Sequence, residues 1–595
     1  MMIDLPDAGK VVDFALSRSY IDWSALPKSF GKASPYPKFL GGLFSRVFRE
    51  DGTLHSGVDP NYIFFLRQAL YLAKKVEKEC SDAAILAEVN AFYEVDVGLR
   101  SPSLHWNDDH LFAGNRQLTG DDRPHFVDGY QGEPDLISHR DECPQALLRT
   151  LQAVADRVIS RFPEFDWRDL KPRHGPGAVA DAKSGTDKYL FPSWPRKLDG
   201  TFPYHYFGQS REDLHHEVSP SLSLNEPPAR LFAVPKTLKA PRMIASEPVA
   251  HQYIQLGMMR WLRLHLPKPL RYSIDFSDQT PSREACMEAS KQGTSASVDL
   301  SAASDRLSCW VVERIFRTNP SLLEALHACR TRWLRNATDV GAPYFLVLKK
   351  YAPMGNGTTF PVQSICYAII SIAALLYEEG KTVNSSTIFQ AVRRIRVFGD
   401  DIILPSSAVP SLALLLRHLQ LKVNVVKTHY AGHFRESCGM DSYDGVDVTP
   451  LYLSALELGV TADVIASWVD ISNNAYTKGL WFLSEAMTAQ IPMSLKRCLP
   501  ITRVATFDLK QRSGCLSLRS YGPSSSPIVR YNSTLHRDEI LGLVIQGGQK
   551  RRGRDSHQSL LQYFVENPSP DIYWSSGYDE RSKRLRLRKR WVPKP

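Results

Sequence analysis

The sequence has no Cys-x-x-Cys pair, and its nine cysteines are odd in number and irregularly spaced. That excludes a paired disulfide framework and predicts reduced thiols. The opening MMIDLPDAGKVVDF carries acids where an export signal carries bases, and no long apolar core follows, so secretion is not expected. The most apolar run, YAIISIAALLY over Tyr367–Tyr377, is shorter than the ~20 residues of a membrane span. It predicts a buried helix and no membrane association. There is no G-x-x-x-x-G-K-[ST] loop, which disfavours a P-loop ATPase or helicase, and no internal repeat. His139-Arg140-Asp141 and His536-Arg537-Asp538 lack the downstream asparagine and Asp-Phe-Gly of a kinase and read as surface.

What is present is a 595-residue globular chain with 43% hydrophobic and 23% charged residues, long enough for three or four lobes. The balance of 73 Lys plus Arg against 63 Asp plus Glu leaves +10, which suits a polyanionic partner and equally an ordinary basic protein. Texture divides the chain into three zones. Residues 1–170 alternate aromatic-rich helical patterns with loops and hold no chemical motif. Residues 171–450 switch between short β-branched runs and amphipathic helices. Beyond 450 come helical patterns, a Ser/Gly/Pro-rich stretch and the basic run RSKRLRLRKRWVPKP over 581–595.

The middle zone carries the chemistry. In RIRVFGDDIILP, strand formers flank Gly399, Asp400 and Asp401, predicting a β-hairpin with carboxylates at its tip. Two carboxylates about 4 Å apart repel by roughly 4 kcal/mol at an effective dielectric near 20, so a divalent cation is the natural compensation. An exposed Asp-rich turn is the plainer reading. In ASVDLSAASDRLS, Asp299 stands at the exit of a predicted strand, Ala296 to Leu300, and Asp305 on the first turn of a predicted helix running through Trp310, Val311 and Ile315, where the helix dipole alone would favour it. Gly355, Asn356 and Gly357 form a loop feeding a long helix, an ordinary turn or a contact for sugar, base or phosphate. Lys236, Lys239 and Arg242 cluster among prolines as a solvated face or a triphosphate clamp. Lys427 ends another predicted apolar strand, and the terminal basic run reads either as a solvated tail or as a track for an RNA backbone with Trp591 free to stack on a base. His429, His433 and Cys438 give only three unevenly spaced ligands, too few for structural zinc.

The ordered set VPK-x-x-K-x-x-R, VDLSAASD, MGNG-x-x-F, GDDIILP with AVP behind it, and FRESCG followed by GVDVTP resembles the RNA-directed RNA polymerases, in particular the replicase catalytic subunit of levivirus-type single-stranded RNA bacteriophages. The resemblance covers residues 231–450. It implies an α+β right hand: an antiparallel-sheet palm, fingers and a mainly helical thumb. The corresponding division is 1–170 as an N-terminal region packing with fingers and thumb, 171–295 as fingers, 296–312 as palm, 313–352 as a fingers insertion, 353–450 as palm, and 451–595 as thumb with a basic tail. It implies Asp299, Asp400 and the supporting Asp401 as ligands of two Mg²⁺ ions, with Mn²⁺ as a substitute, and Lys427 as the proton donor to departing pyrophosphate. Lys236, Lys239 and Arg242 would bind the triphosphate, and Asp305 with Asn356 or Ser364 the ribose 2′-hydroxyl, beside Gly355 and Gly357. Reverse transcriptases carry a bulky aromatic about five residues after the first aspartate; Ser304 stands there, so ribonucleotides are the expected substrates. The implied partners are template and product RNA, NTPs, the host elongation factors Tu and Ts and a host ribosomal RNA-binding protein, in the cytoplasm of an infected bacterium. A two-metal nuclease and a non-catalytic RNA-binding scaffold are the alternatives.

Overall fold

Twenty residues, Thr359–Glu378, form one helix, longer than the apolar run within it, because nothing between Phe360 and Leu376 interrupts helical geometry once Pro361 is spent on the first turn. By length and composition it would suit a membrane span, but 89% of its apolar window is buried inside the protein. Helices Gln145–Ile159, Cys309–Phe316 and Val409–His418 pack around it, and together they build the largest core. This computed structural model describes residues 3–31, 35–76, 79–103, 106, 126, 143–182, 185–208, 226–237, 240–341, 343–453, 461–503, 514–526, 528–549, 557–566 and 581–594. Helices and mainly antiparallel sheets make it an α+β fold, as expected.

Between residues 229 and 447 the strands are, in order, β1 (Ala229–Pro235), β2 (Pro241–Ser246), β3 (Ser295–Val298), β4 (Leu300–Ser301), β5 (Trp333–Asn336), β6 (Phe345–Val347), β7 (Arg396–Phe398), β8 (Asp401–Pro405), β9 (Lys422–Val423), β10 (Phe434–Ser437), β11 (Met440–Tyr443) and β12 (Val446–Asp447). The central sheet has the order β3-β8-β7, antiparallel throughout, with Val298 opposite Ile402 and Val397 opposite Ile402 on the other side. Alternation along each strand sorts its faces. Ala296, Val298, Val397, Ile402 and Leu404 enter the large core, whereas Ile403 joins Cys286 and Ala289 of helix Thr280–Gln292 on the opposite face. A second sheet has the order β2-β1-β5-β6, and β4 pairs with β9.

The N-terminal zone is tied to the hairpin β10–β11 by a buried charge network. Arg67, on helix Pro60–Tyr71, donates to Asp13 Oδ1 at 2.6 Å and to Asp441 Oδ2 at 2.8 Å, and its remaining nitrogen reaches the Val448 carbonyl at 2.7 Å. Tyr71 adds a hydrogen bond to Asp13 at 2.6 Å. The guanidinium beside Asp13 holds that carboxyl below the usual range despite its burial.

Two expectations for residues 451–595 need correction. That region is not mainly helical: helices Ala462–Thr477 and Trp481–Ala489 lie beside a sheet whose longest strands are Arg537–Gln549 and Arg581–Pro593. Nor is the basic terminal run a tail. Its alternation, Leu585-Arg586-Leu587-Arg588, has the period of a strand, and it pairs antiparallel with Arg537–Gln549 from Glu539↔Pro593 to Gln549↔Arg581. The Arg530 guanidinium lies 4.2 Å from the Trp591 ring centroid and so covers one face of that ring.

Replacing Arg67 by alanine leaves Asp13 and Asp441 buried without their cation, and chemical denaturation should show a loss of about 3–5 kcal/mol. A loss below 1 kcal/mol would mean that the network does not hold the N-terminal zone in place.

Candidate active site

The register of the central sheet decides where the acids fall. Because Val298 faces Ile402, Asp299 leaves β3 level with the turn between β7 and β8. Phe398 pairs with Asp401, so the turn itself is the two residues Gly399 and Asp400. Gly399 adopts φ +64°, the first position of a two-residue hairpin, where glycine is favoured. A side chain there would also press on the Phe360 ring, 3.1 Å from an added Cβ. Asp400 is thus at the tip, while Asp401 is the first strand residue.

Asp299, Asp400, Lys236, Arg242, Asp305, Gly355, Asn356 and Lys427 line one cleft of about 700 Å³. Asp299 is held firmly. Its Oδ2 accepts from Asn424 Nδ2 at 2.8 Å, its carbonyl accepts from the Asn424 amide at 2.9 Å, and Lys427 Nζ stands 3.7 Å from Oδ1. Burial, and then the charge of Asp400, raise the Asp299 pKa; Lys427 and Asn424 oppose the shift. Lys427 lies in a 3₁₀ turn, Val425–Lys427, and not on a strand as expected, with Glu436 Oε1 at 3.9 Å on its other side. Those carboxylates raise its pKa against the pull of burial.

Lys236 and Arg242 are brought to the same wall by the β1–β2 hairpin, in which Val234 faces Arg242. Burial and Arg242 lower the Lys236 pKa, while Asp400 and Asp299 act in the opposite sense, so the cations feel the acids across the cleft. Lys239 lies outside the described residues. The Gly355-Asn356-Gly357 loop precedes the long core helix and is pinned to β2 by the Ala245 amide, which donates to the Met354 carbonyl at 2.8 Å. Gly355 has φ +119°, and an added Cβ would collide with the Ala245 carbonyl oxygen.

Asn356 and Ser364 separate clearly. Asn356 is at the cleft, its Oδ1 occupied by Thr358. Ser364 is fully buried, donates to the Phe360 carbonyl at 2.8 Å and accepts from the Gly399 amide at 3.1 Å. Its work is to fix the aspartate turn. Asp401 also departs from a shared acid cluster. On β8 it has the parity of Ile403, away from the long core helix, and its Oδ2 accepts from the Cys438 amide at 3.0 Å. Burial first, and Asp400 second, push its pKa up to about 6. Among the described residues no three His, Cys, Asp or Glu side chains gather closely enough to ligate one ion. That includes His429, a buried neutral imidazole edge-on to Phe434, held near a pKa of about 3 chiefly by burial.

The donor set nonetheless fits magnesium, which binds through one or two carboxylates and keeps several waters. Asp299 and Asp400 share a cleft, and the charge of Asp400 adds to burial in raising the Asp299 pKa, a repulsion that a divalent ion would relieve. Three contributors carry no motif of their own: Asn424, which fixes Asp299; Lys350, which touches Asp305; and helix Asp82–Val97, whose Glu88, Ala91, Phe92 and Val95 wall the cleft. No local pattern marks them, since each is defined by contacts across long sequence separations.

Comparison with known proteins bears on this cleft. Residues 216–482 match the model of the RNA replicase, beta-chain family. The chain is 35% identical over 273 residues to the RNA-directed RNA polymerase subunit beta of Escherichia virus Qbeta, covering 46% of this chain and 42% of that protein. It is 31% identical over 224 residues to the RNA-directed RNA polymerase beta chain of Escherichia phage MS2, covering 38% of this chain and 37% of that one. The chain therefore spans less than half the length of the curated relatives it matches. The solved RNA-dependent RNA polymerase of a human picorbirnavirus superimposes with a TM-score of 0.31 and 15% identity, over 44% of this chain and 55% of that one, too slight a likeness to carry an argument.

The raised Asp401 pKa gives a pH-dependent prediction. Unfolded, the group ionises near 3.8; folded, near 6, so above pH 6 folding must bury a carboxylate that is already charged in the unfolded chain, while below pH 3.8 the acid is neutral in both states and carries no penalty. Asp401→Asn should stabilise the metal-free protein by up to about 3 kcal/mol at pH 8, with the gain fading as pH falls from 6 to 4. Denaturation at both pH values checks it; a gain independent of pH would refute the assignment.

Proposed function

We propose that this chain is the RNA-synthesising subunit of a phage replicase, adding ribonucleotides to an RNA 3′-hydroxyl under template direction. One observation carries the reading: separate segments bring two carboxylates, Asp299 and Asp400, and two cations, Lys236 and Arg242, to the walls of one cleft. Similarity of residues 216–482 to the RNA replicase beta-chain family supports it.

In this reading Asp299 and Asp400 hold the metal, with Asp401 supporting from beneath through the Cys438 amide. Magnesium, when bound, lowers the pKa of the attacking hydroxyl and neutralises charge on the phosphates. Lys236 and Arg242 bind the triphosphate as charge-assisted donors. Lys427, set between Asp299 and Glu436, supplies a proton to departing pyrophosphate. Asp305 and Asn356 receive the ribose. The sheet β3-β8-β7 is the palm, the β1–β2 region belongs to the fingers, and residues beyond 450 are the thumb. Host elongation factors Tu and Ts and a ribosomal RNA-binding protein are partners by resemblance, in the cytoplasm of an infected bacterium.

The exposed Arg586, Arg588 and Arg590 share one face of the terminal strand and contribute phosphate contacts. Replacing all three by alanine should flatten the log–log salt dependence of RNA binding by about two, from roughly 0.7 per single-strand contact. An unchanged slope would remove that face from the RNA path.

Asp400→Asn should reduce NTP incorporation on a defined RNA template by on the order of a thousandfold while RNA binding persists. Wild-type protein should prefer NTPs to dNTPs. Binding without synthesis by the wild type would favour a scaffold, and metal-dependent RNA breakdown a nuclease.

A further inference from the structure

Lys350 belongs to no motif, yet it is buried completely and fixed from several directions. Its amide donates to Asp96 Oδ1 at 3.0 Å, and the other oxygen of Asp96 takes the Lys349 amide at 3.1 Å. Its carbonyl accepts from Arg330 Nη2 at 3.2 Å, and its backbone bridges to Ser308. The ammonium lies 3.3 Å from the centroid of the Phe92 ring and 3.2 Å from Asp305 Oδ1. Phe92 and Asp96 both come from helix Asp82–Val97, the N-terminal element that walls the cleft.

Two physical points give this arrangement a purpose. A buried ion pair adds little to stability, because desolvation cancels most of the attraction; what it does supply is a fixed position for the charged groups. Asp305, in contrast to its partner, keeps 20% of its side-chain surface and lines the cleft. Lys350 engages Oδ1, and no other donor among the described residues reaches the carboxylate, so Oδ2 is left to accept a hydrogen bond from a ligand. The short helix carrying Asp305, Ala303–Arg306, is anchored separately by Tyr367, whose hydroxyl donates to the Ala303 carbonyl at 2.8 Å.

We infer that Lys350 is a positioning residue for sugar selection: it holds the Asp305 carboxylate so that one oxygen is presented to the 2′-hydroxyl of the incoming nucleotide. This rests on the polymerase reading above. A site built to bond a hydroxyl rejects the analogue lacking it, because the site's acceptor is then left unpaired. Cation–π contact with Phe92 and the clamp from Asp96 keep the ammonium from following Asp305 if the latter swings away. The N-terminal zone thus contributes to substrate choice without touching substrate through a catalytic motif.

The test is single-nucleotide incorporation by the full chain, with kcat/KM measured for ATP and dATP in wild type, Lys350→Met, Asp305→Ala and the double variant. Lys350→Met should lower the ATP-to-dATP ratio about tenfold, mainly by weakening use of ATP. The double variant should lose no more selectivity than Asp305→Ala alone. Lys350→Gln, smaller and polar, serves if the methionine variant fails to fold, with thermal melting as the check. A ratio within twofold of wild type in a folded Lys350 variant, or additive loss in the double variant, would overturn the inference and leave the polymerase reading intact. No incorporation by wild type would overturn both.

Discussion

Like charge brought together against its own repulsion is the constraint around which the rest of this structure is arranged. The antiparallel pairing of β3 with β8 delivers Asp299 beside the Gly399-Asp400 turn, although about a hundred residues separate them in sequence. Neither strand chooses this by itself. A one-residue slip would send Val298 and Ile402 out of the core and move the acids with them, so burial of the apolar face enforces the alignment of the polar one. The supporting contacts then read as consequences: Asn424 holds the Asp299 carboxylate, Ser364 fixes the Gly399 amide and the Cys438 amide takes up Asp401.

Much of this was legible in the sequence, for reasons that differ by residue. The hairpin at Gly399 is written locally, since strand formers on both sides of a glycine leave few other conformations. Asp299 at the strand exit follows from local pattern, whereas the helix expected to run from Asp305 through Ile315 is split: Asp305 lies on the short helix Ala303–Arg306, and Cys309–Phe316 is a separate helix capped by Ser308. Ser364 could not be told from Asn356, because on a helix buried all round the periodicity gives no direction. Lys427 reads as a strand residue because Val425 and Val426 have strand composition, yet both are exposed in a 3₁₀ turn. The local pattern puts both Asp400 and Asp401 at the hairpin tip, whereas the pairing of Phe398 with Asp401 assigns one to the turn and the other to the strand. The terminal basic run reads as a tail by its charge, yet its leucines alternate with arginines as a strand requires.

The N-terminal zone, silent in motifs, acts at two places on the middle zone. Through Arg67 it meets the β10–β11 hairpin, and through helix Asp82–Val97 it closes one side of the cleft. Both connections use buried polar contacts, whose geometry is far more demanding than apolar packing. Such a division of labour leaves the reactive groups on short loops and strand ends while remote helices set their orientation. It also explains why these residues escape motif reading: their identity matters through one partner each, and that partner is hundreds of positions away or on another element.

The pairing of Arg537–Gln549 with Arg581–Pro593 has a consequence for how the chain is made. The earlier strand is made before its mate, and until residues 550–593 follow, in seconds at about 5–20 residues per second, it has no partner on that edge. For that interval a long row of amides and carbonyls stands open beside leucines and isoleucine, a template for any stray strand. Once the second strand arrives it covers that row, and its exposed Arg586, Arg588 and Arg590 leave a charged outer strand that is less apt to take up another chain.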